Sequence, residues 1–129
     1  MASLFTKIIN GDISSYKVAE SDRYLAFLDI NPLAKGHVLV VPKEEVDYVF
    51  DLEDDLLAGL HVFAKSVARK MEKVISCERI GVAIIGLEVP HAHVHLIPLK
   101  SVEDINFSRP KLDLEEEELE QIARSIREA

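Results

Sequence analysis

The sequence predicts an α+β fold: a five-stranded, mainly antiparallel sheet with one long covering helix and a C-terminal helix. Short apolar stretches bounded by turn residues recur along the chain, a long amphipathic stretch separates the third from the fourth, and another follows the last. The 129 residues suffice to enclose one core. We therefore expect a single domain over residues 1–129, with its core at about 4–98 and a C-terminal loop and helix at 101–129.

Five short apolar stretches predict the strands. Residues 16–20 and 24–28 lie close enough along the chain to form a hairpin, and Pro32 interrupts the segment that follows. A continuous apolar run over 37–42 is typical of a central strand covered on both faces, and it places His37 at the strand entrance. The predicted strands are residues 16–20, 24–28, 37–42, 79–85 and 89–98.

Two stretches have helical periodicity. Residues 51–74 carry apolar side chains at intervals of three or four, which predicts a helix that covers the sheet, with Gly59 as its one weak position. Residues 112–126 repeat the pattern after a loop at 101–110. The acidic run Glu115–Glu118 lies in the first turns of this second helix, where carboxylates favour the positive end of the helix dipole.

Composition and charge narrow the range of partners. A formal net charge of -8 disfavours a broad nucleic-acid-binding surface, because such surfaces depend on clustered lysine and arginine. No apolar run is long enough to cross a bilayer, and the N-terminal residues lack the features of an export signal. We expect a cytoplasmic protein that binds neither a membrane nor a nucleic-acid polymer, although a small phosphate-bearing ligand is compatible with its charge.

Three of the five histidines alternate with apolar residues in one predicted strand. Successive side chains of a strand point to opposite faces, so His91, His93 and His95 are predicted to share one face. The apolar residues between and after them face the core on the other side. Burying three such rings requires a partner for every ring nitrogen, so a functional role is the better explanation.

Two kinds of chemistry suit this row, and both remain open at this point. In the first, His93, which has a histidine on each side, is the nucleophile at phosphorus, while neighbouring rings donate to phosphate oxygens or protonate a leaving group. In the second, two of the rings and His37 bind a metal ion. The metal reading lacks a nearby carboxylate to orient the rings, since only Glu88 is close in sequence.

Four stretches of this chain resemble the histidine triad (HIT) family of nucleotide-binding proteins. The central one is His91-Ala92-His93-Val94-His95-Leu96-Ile97, which is similar to the family motif of alternating histidines and apolar residues. The resemblance extends from about residue 4 to Pro98 and leaves the C-terminal segment unmatched. The other three stretches are Leu4–Gly11, Tyr24–Pro32 and Gly36–Lys43.

The resemblance implies a HIT-like fold, a homodimer whose two sheets join into one, and hydrolysis or transfer at the α-phosphate of a nucleotide conjugate such as a phosphoramidate or a dinucleoside polyphosphate. It implies that His93 attacks the phosphorus and forms a covalent nucleotidyl intermediate, which water then releases. His95 and His91 would hold and polarise the phosphate, and His37 would complete the cluster. The implied catalytic residues are His93, His95, His91 and His37.

The same resemblance implies how a nucleotide, most simply a purine nucleotide, is bound. Asp29 matches the acid that binds the ribose, and four apolar residues match the slot for the base. Ordinary core packing explains Ile8 and Phe27 equally well. The implied slot residues are Phe5, Ile8, Phe27 and Ile30. We expect no cofactor and no metal.

Two departures from the family pattern bear on these expectations. Many bacterial relatives carry a zinc site of two cysteines, a histidine and one triad histidine, whereas this chain has Ser3, Thr6 and Glu45 at the first three positions. In the segment before the triad, Leu87 and Glu88 replace residues that contact the phosphate. Leu87 has no hydrogen-bonding group and an ionised Glu88 would repel a phosphate, so a nucleotide-binding or interaction module without turnover is the alternative function.

Overall fold

The computed structural model describes residues 2–129. A single-turn 3-10 helix precedes the long helix at Val49–Asp51, and another follows the last strand at Val102–Ile105. The helices are α1 (Leu4–Ile9), α2 (Asp54–Val74) and α3 (Glu116–Arg127), and the strands are β1 (Lys17–Glu20), β2 (Tyr24–Leu28), β3 (Val38–Pro42), β4 (Arg79–Ala83) and β5 (Val94–Leu99). The predicted α+β class is confirmed.

The five strands form one antiparallel sheet in the order β1-β2-β3-β5-β4. Strands β2 and β3 are fully buried, because alternate residues of each enter apolar clusters on opposite faces. One face is covered by α2 and α3. The other face is covered by α1, whose Phe5 and Ile8 pack on Leu25, Phe27 and Leu39.

The apolar side of the histidine segment faces the helices, as predicted. Ala92, Val94 and Leu96 are buried in the cluster that contains α2. The opposite side therefore belongs to the α1 face, where His95 pairs with Leu39 on β3. The sheet thus separates a purely apolar core from the face that carries the histidines.

Three elements begin three to five residues later than predicted, while the predicted ends of the others differ from the observed ones by at most two residues. Strand β5 begins at Val94 instead of residue 89, because the Ala92 N–H donates to the Val46 carbonyl (2.7 Å), in a loop, instead of to a neighbouring strand. Helix α2 begins at Asp54 because the chain reaches it through a 3-10 turn, although Leu52 is buried as its periodicity predicts. Helix α3 begins at Glu116, and the segment before it is attached to the loop after β2, where the Leu112 N–H donates to the Pro32 carbonyl (2.8 Å).

Two glycines are explained by close contacts. A Cβ at Gly59 in α2 would collide with the Tyr24 hydroxyl, which donates to the Leu56 carbonyl (2.8 Å), so the weak helical position admits a buried tyrosine. Gly36 has a φ of +91°, and a Cβ there would collide with the Ile75 side chain at the end of α2. Gly36 therefore fixes how closely the segment before β3 approaches that helix.

The two edges of the sheet differ. Helix α3 packs on β1, and Arg127 Nη1 donates to the Lys17 carbonyl (2.6 Å). Strand β4 has no strand beyond it within residues 2–129, and Val82 on it is exposed. Among the same residues, no helix combines the length and the apolar character that a membrane span requires.

Candidate active site

Four histidines gather on the α1 face of the sheet. His95 lies on β5 opposite Leu39 of β3 and Ala83 of β4, and His37 lies just before β3. His91 and His93 lie in the irregular segment before β5. The ring centroids of His93 and His95 are 4.9 Å apart, and those of His37 and His95 are 5.2 Å apart. The sheet register thus brings His37 to a segment more than fifty residues away in sequence.

A chain of hydrogen bonds fixes the tautomers of His37 and His95. The Leu33 N–H donates to His37 Nδ1 (3.1 Å), so the neutral His37 ring carries its proton on Nε2. That nitrogen lies 2.9 Å from His95 Nδ1 and donates to it. His95 therefore carries its proton on Nε2, which leaves an N–H able to donate to a ligand. These assignments follow from the partners of each nitrogen.

His93 carries its proton on the other ring nitrogen, Nδ1. Its Nδ1 donates to the His91 carbonyl (2.7 Å), so Nε2 of the neutral ring carries a lone pair. No hydrogen bond joins Nε2 to any of the residues described. Ser15 Oγ is the only fully buried side-chain nitrogen or oxygen among them without a partner, so His93 Nε2 retains some exposed surface, although the residue as a whole is only 6% exposed. An oriented, unprotonated and accessible ring nitrogen can act as a nucleophile.

His91 is enclosed and has no free ring nitrogen. Its Nε2 donates to the Pro42 carbonyl (2.8 Å), and its Nδ1 accepts from the Ser3 hydroxyl (2.9 Å). The ring is fully buried. Alternation in sequence therefore does not place the three rings in equivalent environments: His91 offers its carbonyl to His93 and keeps its own ring paired.

The partners of His91 belong to a small polar cluster at the start of α1. Ser3 caps this helix by accepting from the Thr6 N–H (3.1 Å), and Glu45 Oε1 accepts from the Ser3 N–H (2.6 Å) and the Thr6 hydroxyl (2.5 Å). The Thr6 hydroxyl above all holds the pKa of Glu45 well below its usual range. Neutral hydroxyls are poor ligands for zinc, and these groups bond to one another, so they do not fit a structural zinc site.

All four rings are held neutral near pH 7. Burial is the main cause, and it lowers the pKa of His37 to about 3 and that of His95 to about 4. Burial also lowers the pKa of His91 and His93, although the carbonyl that each ring nitrogen bonds opposes the effect. The neutral state is the one that the tautomer assignments require.

Asp29 lies at the end of β2, beside His37. Its Oδ1 accepts from the Asn31 N–H (2.9 Å) and its Oδ2 is 3.7 Å from His37 Nε2. Burial raises the pKa of its carboxyl group, and the Asn31 hydrogen bond opposes that rise. Asp29, His37 and His95 bring potential metal ligands within 4.8 Å of one another. The two ring nitrogens, however, share a 2.9 Å hydrogen bond, shorter than the roughly 3.3 Å between ligands of a tetrahedral zinc ion.

Three of the four predicted slot residues lie together. Phe5 and Phe27 meet edge to face at 5.5 Å, and Phe5 also meets the His93 ring at 4.9 Å. Ile8 is buried in the same cluster. Ile30 is separate from it and 59% exposed. The helix that carries Phe5 therefore packs against the His93 ring.

The segment before the triad presents an apolar side chain and a charge to solvent. Leu87 is 87% exposed, and Glu88 is exposed without a hydrogen bond to any of the residues described. The Glu88 charge nevertheless contributes to raising the pKa of Asp29 and counteracts the lowering at His93. Glu88 thus adds negative potential at the mouth of the site.

Phe107 is a residue near the site that sequence reasoning missed. It lies in the segment interpreted as a loop, and its ring meets the His95 ring at 4.8 Å and the His37 ring at 6.3 Å. The one signal in the sequence is an aromatic residue isolated in a polar stretch. That signal gives no partner, because the ring's neighbours are brought to it by the fold.

Comparisons with known proteins agree with this architecture. Residues 10–102 match the family profile described as the HIT domain. An adenosine 5'-monophosphoramidase of Schizosaccharomyces pombe is 35% identical over 132 residues, which cover 98% of this chain and 96% of that protein. A Hit-like protein from Bartonella henselae, described as involved in cell-cycle regulation, has a TM-score of 0.84 and 29% identity, covering 98% of this chain and 95% of its own. A zinc-bound histidine triad family protein from Mycobacterium smegmatis has a TM-score of 0.85 and 25% identity, with coverage of 99% and 92%.

Proposed function

Since the chain belongs to the HIT family, we propose that it hydrolyses or transfers a nucleotide from a conjugate by way of a covalent intermediate on His93. The family and the similarity to a phosphoramidase support nucleotide-binding hydrolase activity in general. The observation that carries the specific proposal is the accessible, unprotonated Nε2 of His93, whose Nδ1 is held by the His91 carbonyl.

In the first step, His93 Nε2 attacks the α-phosphorus. A P–N bond forms while the bond to the leaving group breaks, and the electron pair of that bond goes with the leaving group, which takes a proton from solvent. His95 Nε2–H donates to a phosphate oxygen and stabilises the charge that develops there. His91 acts as a positioning residue, because both of its ring nitrogens are already paired.

In the second step, water attacks the phosphorus of the intermediate. The P–N bond breaks, its electron pair returns to His93 Nε2, and a proton of the water passes to solvent. The product is a nucleoside monophosphate. His37 keeps its proton on Nε2 throughout, so His95 presents the same donor in both steps.

Nucleotide recognition is assigned to the neighbouring residues. The Asp29 carboxylate accepts from the ribose hydroxyls, and the base lies against the apolar wall formed by Phe5, Ile8 and Phe27. Ile30 is exposed and lies outside that cluster, so its assignment to the base rests on the family resemblance alone. The resemblance implies that the base is a purine, whose flat ring suits an apolar surface.

Turnover of adenosine 5'-phosphoramidate tests the proposal. We expect the wild-type chain to release AMP, and mass spectrometry after an alkaline quench to detect one adenylyl group on the protein. His93→Ala should abolish both, whereas His61→Ala, a substitution at an exposed residue of α2, should keep both. Activity that persists in His93→Ala would refute the proposal, and activity that a chelator removes would favour the metal-dependent alternative.

The alternative is a nucleotide-binding or interaction module without turnover. It is favoured by Leu87 and Glu88, which give the phosphate no neutral hydrogen-bond donor from their side chains. The same assay separates the two functions. Calorimetric binding of AMP by a protein that does not turn over the phosphoramidate would support the module.

We also propose a cytoplasmic homodimer formed through β4. Helix α3 covers the β1 edge, whereas the β4 edge is open and flanked by exposed Val82, Ile85 and Leu87. Pairing two such edges would join the sheets of two copies and cover these side chains. Light scattering at micromolar concentration should give the mass of a dimer, and a monomer mass would contradict this assembly.

A further inference from the structure

The segment between β5 and α3 is held in place by its own hydrogen bonds. Asp104 accepts from the N–H groups of Lys100 (2.7 Å) and Ser101 (2.9 Å). Arg109 Nη1 donates to the Glu103 carbonyl (2.8 Å), and Lys111 Nζ donates to the Phe107 carbonyl (2.7 Å). A segment bonded in this way presents the side chain at its turn in a defined position.

Phe107 is the side chain presented at that turn. Its ring lies edge to face against His95, at 4.8 Å and an interplanar angle of 73°. The His93 ring also meets the His95 ring, at 4.9 Å, so His95 contacts both the nucleophile proposed above and an aromatic ring. Phe107 also reaches His37 at 6.3 Å and therefore spans the hydrogen bond between the two histidines.

We propose that Phe107 is a positioning residue, which keeps His95 oriented as a donor by shielding the His37–His95 hydrogen bond from water. A bond between two neutral rings is easily replaced by bonds to water, and the aromatic cover removes that competitor. The inference rests on the proposed function only for its catalytic consequence. The shielding itself is a property of the folded protein.

The charged and titratable groups around His95 favour this arrangement. The His93 ring contacts the His95 ring, His37 bonds to His95 Nδ1, and Asp29 Oδ2 lies 3.7 Å from His37 Nε2. Lys111 lies on the same segment as Phe107, and its charge contributes to lowering the pKa of His37. Removing the Phe107 ring admits water and relieves the desolvation that is the largest cause of the low His95 pKa.

An NMR titration of the histidine rings tests the inference without reference to activity. In Phe107→Ala, we expect the His95 titration midpoint to rise by roughly one pH unit or more. Phe107→Leu keeps an apolar cover and should retain most of the wild-type behaviour. Phe50→Ala is the matched control, because it removes an exposed phenyl ring from the 3-10 turn before α2. An unchanged His95 midpoint in both Phe107 variants would overturn the inference.

Kinetics then separate this inference from the proposed function. If the wild-type chain turns over a phosphoramidate, Phe107→Ala should lower kcat about tenfold and move the acidic limb of the pH profile upward, with little change in KM. A His95 shift in a protein without turnover would support the positioning role and refute the enzymatic one. Turnover with an unmoved His95 midpoint would do the reverse.

Discussion

His91 and His93 occupy equivalent places in the sequence pattern, yet their surroundings differ. Both nitrogens of His91 are bonded within the protein, to Pro42 and Ser3, and its ring is fully buried. His93 is bonded at one nitrogen only, and the other retains some exposed surface. From this difference we predict that His91 orients its neighbour and that the His93 ring carries out the chemistry.

The largest expected effect separates the two residues by chemical rescue. We expect His93→Gly to lose about 1,000-fold or more in turnover of the phosphoramidate and to regain part of it with added imidazole, because the space left is open to solvent. His91→Gly should not be rescued, since its loss is one of orientation and packing. Steady-state rates with and without imidazole measure this, and equal rescue of both variants would break the comparison.

For the free energy of unfolding we expect the opposite order: the alanine variant of His91 should lose more than that of His93. His91→Ala leaves the Pro42 carbonyl and the Ser3 hydroxyl without their partner in a buried space, so it should lower the free energy of unfolding by about 3 kcal/mol. His93→Ala loses one hydrogen bond and should cost about 1 kcal/mol. Urea unfolding at pH 7 measures both, with the exposed His61→Ala as the control. A greater loss in His93→Ala would contradict the assigned roles.

We expect the free energy of unfolding to fall at acidic pH, because the buried histidine rings are held neutral in the folded protein. The folded-state pKa values of His37 and His95, about 3 and 4, lie below the ordinary 6.5, so the unfolded chain takes up protons first as the pH falls. Their stabilising contribution is complete above about pH 6.5 and decreases by about 2 kcal/mol for each ring between pH 7 and pH 5. The raised pKa of Asp29 acts in the opposite direction.

Urea unfolding at the two pH values measures this decrease. His37→Gln should reduce it, because one of the two low-pKa rings is removed. A free energy of unfolding that is the same at pH 5 and pH 7 would show that the rings are protonated or solvated in the folded protein.

The smallest effect concerns the cap that holds His91. Ser3→Ala removes the acceptor of the Thr6 N–H and the donor to His91 Nδ1, and it should lower the free energy of unfolding by about 1 kcal/mol. Ser3→Thr keeps the hydroxyl and should recover most of that loss. If Ser3→Ala costs more than His91→Ala, the cluster is organised around the helix cap and His91 is secondary.

The sequence was sufficient to predict the sheet and its faces, because burial imposes a local period. Alternation placed Ala92, Val94 and Leu96 in the core, and the helical stripe predicted α2 although its first turn was too early. These predictions depend only on residues that are close together in the sequence. Similarity to known motifs extended them to a family, which the comparisons confirm.

The contacts that distinguish the histidines were not predictable from local pattern. Ser3 reaches His91 across 88 positions, and Phe107 reaches His95 from a stretch without periodicity. Single long-range hydrogen bonds and ring contacts leave no repeating signature in the chain. The roles of individual rings therefore had to wait for the fold, and their catalytic assignment stays a prediction.

Gly36 links the C-terminal end of α2 to the hydrogen bonds of His37 and His95. It has a φ of +91°, its α-carbon lies against the Ile75 side chain, and the next residue is His37. Any larger residue at position 36 must displace either Ile75 or the strand entrance that carries His37. An engineer who repacks the end of α2 is therefore also adjusting the donor that His95 presents, and positions 36 and 75 should be varied together.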